Sequence, residues 1–149
     1  MIKLTEQRIA QLLQNFYIVF GGWMRYQYKN MDQDKCLTLS QFQVLFIIKD
    51  FGLCNMSCLS EAIEVSKGTM TSMLNKLVEE GYVERSTSPK DRRNVYVSLT
   101  PKGDDKVNYM KEKLLKAIVE TLSQLEENQK EEIDKGLETL GIAFKVKRS

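Results

Sequence analysis

The sequence predicts a mainly α-helical protein with one small β-hairpin, an α+β fold in which long helices occupy both ends of the chain. Three patterns predict it. Apolar residues recur every three or four positions near both ends, two short segments alternate with a two-residue period, and turn residues separate these segments. A chain of 149 residues, 28% charged and 42% apolar, is long enough to form one compact domain with a buried core.

The composition excludes several classes of function. The chain has no histidine, which removes histidine-based catalysis and every zinc site that contains histidine. It has no glycine-rich phosphate loop either, so we expect no enzyme, no cofactor and no metal site. The longest apolar run, residues 16–24, is about half as long as a membrane-spanning helix, and the N-terminus lacks the layout of a signal peptide. We therefore expect a cytoplasmic protein with no membrane partner.

Two helices are predicted in the first third of the chain. Residues 5 to about 30 have apolar side chains at helical spacing, and residues 30–35 are polar and predict a loop. Residues 38–41 match a capping box, in which the Thr hydroxyl and the Gln side chain satisfy backbone amides reciprocally. The second helix should therefore run over 39–50 and end at Gly52. Its expected buried residues are Phe42, Leu45, Phe46 and Ile48.

A pair of shorter helices is predicted next. The first should run from Cys58 to Ile63, and Glu64-Val65-Ser66 should form a tight turn in which Ser66 caps the following helix. That second helix should run from Lys67 to Glu80, with Gly81 in a left-handed conformation just after it. The residues expected to be buried in this pair are Leu59, Ala62, Ile63, Met70, Met73 or Leu74, Leu77 and Val78.

The β-hairpin is predicted from residues 82–87 and 95–99, which alternate in the two-residue period of strands. Residues 88–94 between them are turn-rich and basic, so the hairpin should end in an exposed, charged tip. Thr100-Pro101 then begins another helix as its cap and first-turn proline.

In the C-terminal third, apolar residues at helical spacing form a narrow stripe that predicts two helices. Asn128 interrupts the stripe and separates them. A stripe so long and narrow cannot be buried against one small domain, so we expect it to pack on the first and last helices and on those of a second subunit. The stripe consists of Val107, Met110, Leu114, Ile118, Leu122 and Leu125, followed by Ile133, Leu137, Leu140 and Phe144.

The middle of the chain carries a positive excess. Residues 66–103 hold seven basic and four acidic side chains, whereas the segments before and after are close to neutral. Two helices joined by a short turn and followed by a basic-tipped hairpin predict a winged helix-turn-helix, in which the second helix enters the DNA major groove. Its exposed face offers small hydroxyl, amide and cationic groups suited to base edges and phosphates. The candidate DNA-binding residues on it are Ser66, Lys67, Gly68, Thr69, Thr71, Ser72, Asn75 and Lys76.

The hairpin tip supplies the other candidates for DNA binding, Lys90, Asp91, Arg92 and Arg93. An arginine on a protruding loop can enter the narrow, negatively charged minor groove. An aspartate two residues earlier can hold its guanidinium by a salt bridge, and we expect Asp91 to hold Arg93 in this way. The alternative for both surfaces is an ordinary solvated set of polar side chains.

Three stretches resemble the MarR family of transcriptional regulators. Residues 59–71 (LSEAIEVSKGTMT) resemble its helix-turn-helix, residues 77–85 (LVEEGYVER) the segment that follows, and residues 91–103 (DRRNVYVSLTPKG) its wing and the start of its fifth helix. In two places the chain departs from the family pattern: Glu64 replaces the usual glycine of the turn, and Ser72 replaces a common arginine.

The resemblance implies a homodimer on a pseudo-palindromic operator, with repression as the default activity. Helical regions 1–35 and 101–149 would dimerise, and 36–100 would form the DNA-binding region. The resemblance also implies that Arg93 is the minor-groove residue of the wing and Asp91 its partner. It further implies a small aromatic or phenolic effector in a crevice beside the dimerisation helices, although ordinary core packing is the alternative. Candidates for that crevice are Phe16, Tyr17, Phe20, Trp23, Met24, Phe42 and Phe46.

The cysteines leave a redox function open. The chain has three cysteines, Cys36, Cys54 and Cys58. An odd and small number of cysteines does not suit a disulfide framework and fits a reducing compartment. Cys54 and Cys58 could approach disulfide distance on a helix and act as a thiol sensor. The alternative is that both are small buried apolar residues, since a sensor needs an exposed thiol of low pKa.

Two other binding functions compete with a sequence-specific regulator. A winged helix can serve as a protein-interaction module, but such a module has no need of a basic wing or of cations on its second helix. A nonspecific architectural DNA-binding protein would be far more basic than a chain of net charge +2. Salt-sensitive binding to duplex DNA, and a preference for an inverted repeat over random duplex, would separate these functions.

Overall fold

The computed structural model describes residues 2–31, 37–88 and 90–145, and of residues 2 and 3 only the backbone. It confirms a mainly helical α+β fold. Cys36, residues 32–35 of the predicted loop and Pro89 of the hairpin tip lie outside the described residues. In chain order the elements are α1 (Ile2–Met31), α2 (Leu39–Phe51), β1 (Cys54–Asn55), α3 (Met56–Ile63), α4 (Lys67–Glu79), β2 (Val83–Thr87), β3 (Val95–Leu99), α5 (Pro101–Leu122) and α6 (Glu127–Ala143).

The helix starts follow from side chains that satisfy backbone amides. The capping box before α2 is confirmed: the amide of Gln41 donates to Oγ1 of Thr38 at 3.2 Å, and the amide of Thr38 donates to Oε1 of Gln41 at 2.8 Å. The predicted start of α3 was two residues late. The helix begins at Met56 because the carboxamide oxygen of Asn55 accepts from the amide of Cys58 at 2.8 Å and so caps an earlier turn.

Two other predicted boundaries were wrong. Helix α1 continues through Asn30 to Met31, so Asn30 belongs to the helix and not to the predicted loop. The break between the last two helices lies before Asn128, because the amide of Glu126 donates to Oε1 of Gln129 at 3.0 Å and starts α6 there. Asn128 is therefore helical, and Leu125 lies between the helices.

The sheet has three antiparallel strands in the order β1-β3-β2. The predicted hairpin is confirmed, with Val83 opposite Leu99 and Thr87 opposite Val95. Strand β1, which the sequence analysis did not predict, pairs Cys54 with Val97 on the other side of β3. With only two residues it is too short to show an alternating pattern.

The chain divides into two compact units, Met1–Glu112 and Lys113–Ser149. The core of the first unit is formed by apolar residues of α2, α3, α4, β2, β3 and α5, but four expected core residues are less buried. Ala62 is exposed, because it lies on the outer side of α3, and Phe46, Ile63 and Val78 are half-buried. The fully buried side chains are Phe42, Val44, Leu45, Ile48, Leu59, Met70, Leu74, Leu77, Val83, Val97, Val107 and Met110.

In the second unit, no described residue is fully buried. The predicted stripe is buried only in the first half of α5, at Val107 and Met110, and Leu137 of α6 is 60% exposed. Within the part of the chain that the structure describes, no helix is long and apolar enough to cross a membrane.

The hairpin is fixed to the first turn of α5 by a dense set of backbone contacts. The amide of Thr100 donates to the carbonyl of Tyr82 at 3.1 Å, and its hydroxyl donates to the carbonyl of Gly81 at 2.5 Å. That hydroxyl oxygen also accepts from the amide of Gly103 at 3.1 Å, which makes Thr100 the predicted cap of α5. Gly103 passes so close that a Cβ there would stand 2.0 Å from the carbonyl oxygen of Tyr82.

The substitution Gly103→Ala tests this junction. Because the added methyl group meets backbone atoms and not a flexible side chain, it should lower the free energy of unfolding by more than about 2 kcal/mol, measured by urea denaturation. The matched control is Gly68→Ala in α4, where the nearest atom to an added Cβ is 3.9 Å away and stability should hold or rise. Equal stability of the two variants would contradict this account of the junction.

Candidate nucleic-acid interface

Helices α3 and α4 are joined by the predicted three-residue turn. Glu64 adopts a left-handed conformation, with φ 58° and ψ 43°, at the position where the sequence departs from glycine. The amide of Val65 donates to the carbonyl of Ser60 at 3.2 Å, and Ser66 then caps α4 by accepting from the amide of Thr69 at 3.1 Å. The two helices therefore form the helix-turn-helix that the sequence predicts.

Helix α4 has one buried and one exposed face. Met70, Leu74 and Leu77 are fully buried, and at 100° per residue Gly68, Ser72 and Asn75 lie on the opposite side. The structure brings all of the predicted α4 candidates to the surface, and we call this exposed set the reading face. It consists of Ser66, Lys67, Gly68, Thr69, Thr71, Ser72, Asn75 and Lys76.

The hydroxyl groups of the reading face are partly engaged within the helix. The Thr71 hydroxyl donates to the carbonyl of Lys67 at 2.8 Å, and the Ser66 hydroxyl donates to Oγ1 of Thr69 at 2.9 Å. A hydroxyl whose proton is already committed can still accept a hydrogen bond. Thr71 and Ser66 therefore offer acceptors outward, whereas Lys67 and Lys76 offer cationic donors.

The structure adds Arg85 of β2 to this surface. Its Nη2 donates to Oδ1 of Asn75 at 2.6 Å, so a strand of the hairpin is bonded directly to the reading face. Arg85 is one of the seven basic residues of segment 66–103, and no function was predicted for it from the sequence. One signal could have found it: in a strand, residues two apart lie on the same face, and Val83 is buried against the helices.

The hairpin tip is a tight turn organised by Asp91. One carboxylate oxygen accepts from the backbone amide of Arg93 at 3.0 Å, and the other accepts from the side-chain amide of Asn94 at 3.4 Å. The expected salt bridge from Asp91 to the Arg93 guanidinium is absent from the contacts of the described residues. Instead, the carboxylate is bonded to a backbone amide and a side-chain amide of the turn, a local pattern that Asp favours in turns. Lys90, Arg92 and Arg93 are exposed, as predicted.

The aromatic candidates fall into two separate groups. On α1, Phe16 stacks on Phe20 with ring centroids 5.2 Å apart, and Phe20 stacks on Trp23 at 5.9 Å. Phe42 and Phe46 of α2 instead surround Tyr28, at 5.8 and 6.2 Å. Tyr17 is 80% exposed and Met24 is half-buried. The structure therefore does not gather the predicted aromatic residues around one ligand position.

A cavity of about 260 Å³ lies between the C-terminal part of α1 and the start of α2. Phe42 is the predicted candidate that lines it, together with Tyr28 and two cations that the sequence analysis did not select, Arg25 and Lys29. Burial raises the pKa of Tyr28, so its hydroxyl stays protonated and can donate a hydrogen bond. The remaining lining residues are Leu37, Thr38 and Leu39.

The two described cysteines differ in environment. Both are free; Cys54 is buried in β1 and Cys58 is half-buried in α3. Burial, and secondarily the charge of Cys58, raises the pKa of the Cys54 thiol to about 11. A thiol of raised pKa is a poor oxidant sensor, so Cys54 has the properties of a small buried apolar residue.

Comparisons with known proteins identify the same region. The sequence model described as the MarR family matches residues 37–95. The multiple antibiotic resistance protein MarR of Salmonella typhimurium is 39% identical over 67 residues, which are 45% of this chain and 46% of that protein. The HTH-type transcriptional regulator SarZ of Staphylococcus aureus is 36% identical over 77 residues, 52% of each chain. The match thus spans about half the length of these relatives.

Solved structures extend the likeness to nearly the whole chain. FabT of Streptococcus pneumoniae, solved in complex with DNA, is 27% identical with a TM-score of 0.67, and the match covers 91% of this chain and 94% of that one.

Thiol reactivity tests the assignment of the cysteines. At pH 7.5 iodoacetamide should alkylate Cys58 before Cys54, and the rate at Cys54 should rise about tenfold per pH unit until the pH approaches its pKa of about 11. Peptide mass spectrometry with fragmentation separates the two sites. In urea both thiols should react alike, and equal rates in the folded protein would contradict the assignment.

Proposed function

We propose that this chain, whose residues 37–95 match the MarR family model, is a cytoplasmic transcriptional regulator of that family. It would bind duplex DNA as a homodimer on a pseudo-palindromic operator and act there as a repressor. The observation that carries the proposal is the simultaneous exposure of the reading face of α4 and the cations of the hairpin tip. Both lie in the segment whose net charge is positive. In a winged helix the first would enter the major groove and the second an adjacent minor groove.

The homodimer is supported by apolar surface that a single copy leaves in water. On α1, Tyr17, Ile18 and Val19 are 80%, 68% and 69% exposed. In the second unit, Ile142 and Phe144 are 80% and 67% exposed. Large apolar patches of this kind mark interaction surfaces, and we propose that regions 1–35 and 101–149 cover them by pairing with a second copy.

A dimer also accounts for DNA binding by a chain of modest charge. Two copies double the number of phosphate contacts, and each neutralised phosphate adds nearly one unit to the slope of log affinity against log salt. Two reading faces about 34–36 Å apart would contact successive major grooves on one side of the duplex. Residues 36–100 would supply the DNA-binding region of each copy.

Mobility-shift titration of Arg93→Ala tests the proposal. Loss of the minor-groove cation should weaken operator binding at least about fivefold and reduce the salt slope by about one unit per copy, without changing dimerisation or helical content. The operator candidate is an inverted repeat upstream of the protein's own gene, compared with random duplex of equal length. The matched control is Lys135→Ala. It removes one exposed cation from the side of α6 opposite its apolar stripe, outside the proposed DNA surface and the apolar dimer surface, and should leave affinity unchanged.

Three results would overturn specific parts of this proposal. Unchanged affinity of the Arg93 variant would remove the hairpin tip from the DNA interface. Equal affinity for random duplex and inverted repeat would favour a nonspecific architectural protein, and absence of any salt-sensitive DNA binding would favour a protein-interaction module.

We also propose a small aromatic anion as the effector, bound in the cavity between α1 and α2. The Phe42 and Tyr28 rings can contact an aromatic ring, and the Arg25 and Lys29 cations can pair with its negative charge. The redox alternative is disfavoured at Cys54, whose thiolate is destabilised.

Benzoate, titrated into the mobility-shift assay, tests the effector site. It should weaken operator binding, whereas benzyl alcohol, which has the same ring but no charge, should have a much smaller effect. Arg25→Ala should abolish the response to benzoate without altering affinity for DNA in its absence. A benzoate response that survives this substitution would contradict the assignment of the cavity.

A further inference from the structure

The bond between Arg85 and Asn75 fixes the orientation of a side chain on the reading face. A guanidinium has only donors, so the group of Asn75 that meets Nη2 of Arg85 at 2.6 Å must be its carbonyl oxygen. The amide NH₂ of Asn75 therefore points away from Arg85. Both residues are exposed, so this orientation is held by the bond itself and not by packing.

The fold brings the two side chains together through a very short connection. Gly81, with φ 80°, reverses the chain directly after α4, and β2 begins at Val83. Arg85 then lies in the middle of β2, opposite Val97 of the central strand β3, and this pairing fixes its backbone. With the strand backbone held in this way, the guanidinium reaches the third turn of α4, which carries Asn75.

We propose that Arg85 is a positioning residue that makes Asn75 a donor-only reader of DNA, so that the preferred base opposite Asn75 is guanine. An unconstrained Asn reads adenine by accepting from N6 and donating to N7. Here the carbonyl oxygen is turned towards Arg85, which leaves the NH₂ group to face the groove. Guanine presents two acceptors there, O6 and N7, whereas adenine presents one acceptor, N7, beside an N6 donor that would confront the NH₂ group. This inference rests on the proposed DNA-binding function.

The alternative for Arg85 is a plain phosphate contact, and the two functions make different predictions. A phosphate contact carries no sequence information, so its loss weakens binding to all sequences alike. A positioning bond acts through Asn75, so loss of Arg85 changes the base preference at one base pair in each half-site. In a protein that lacks Asn75, loss of Arg85 leaves the base preference unchanged.

The test is selection of duplexes from a randomised pool by the full-length wild type and by Arg85→Met, Arg85→Lys and Asn75→Ala. Wild type should prefer guanine over adenine at least about fivefold at one position of each half-site. Arg85→Met should shift that same position towards adenine, because the freed carboxamide can then donate and accept. Arg85→Lys, which retains a donor, should keep guanine, and Asn75→Ala should lose the preference.

Lys76→Met is the matched control, since it removes a cation from the same helix without touching the Asn75 amide. It should weaken binding to all sequences and leave the preference at that position unchanged. Arg85→Met behaving like this control would overturn the proposal and assign Arg85 to a phosphate. Thermal unfolding of each variant checks that it is folded. If Arg85→Lys is folded but loses the preference for guanine, the proposal is also overturned. Failure of wild type to select any sequence would instead refute the proposed function.

Discussion

The carbonyl group of Tyr82 stands where a side chain at residue 103 would otherwise lie, and the arrangement of α4, the hairpin and α5 depends on this close approach. It allows the first turn of α5 to pack against the turn that joins α4 to β2. Thr100 secures the contact by bonding both the Gly81 and the Tyr82 carbonyls. The Lys102 ammonium adds a bond to the carbonyl of Glu80 at 2.6 Å and lies 4.7 Å from the centre of the Tyr82 ring. Helix α4, the hairpin and α5 are thereby held to one short segment of backbone.

This constraint explains how a two-stranded hairpin can keep an orientation. A hairpin alone is marginally stable in water, but here its base is bonded to α5, β1 extends the sheet on its other side, and Arg85 bonds it to α4. The tip is ordered locally by Asp91, which binds backbone and side-chain amides within the turn. Arg93 lies exposed on this ordered loop, where a cation remains accessible to a partner.

The sequence predicted most of what local chemistry determines, although the local caps of α3 and α6 were missed, and the missed contacts of the candidate site join distant segments. Helix periodicity, the Thr38 capping box and the Ser66 cap placed most elements within two residues, because these signals lie within one turn. The earlier start of α3 was missed because Asn55 caps it from a two-residue strand that no pattern reveals. Strand spacing from the buried Val83 could have placed Arg85 on the side of the helices, but it could not identify Asn75 as the bonded partner, because Asn75 lies on a separate element. The aromatic candidates were chosen by residue type, whereas the cavity is lined by α1 cations that helical spacing does not distinguish from a solvated face.

The proposed function requires that the polar side of α4 and the hairpin tip contact one duplex at the same time, in two different grooves. Dimethyl sulfate footprinting measures this directly, because the reagent methylates guanine N7 in the major groove and adenine N3 in the minor groove. Simultaneous contact should protect guanine N7 at two sites about one helical turn apart and adenine N3 beside each of them. Protection confined to a single groove, in a complex that still forms at moderate salt, would rule out simultaneous contact.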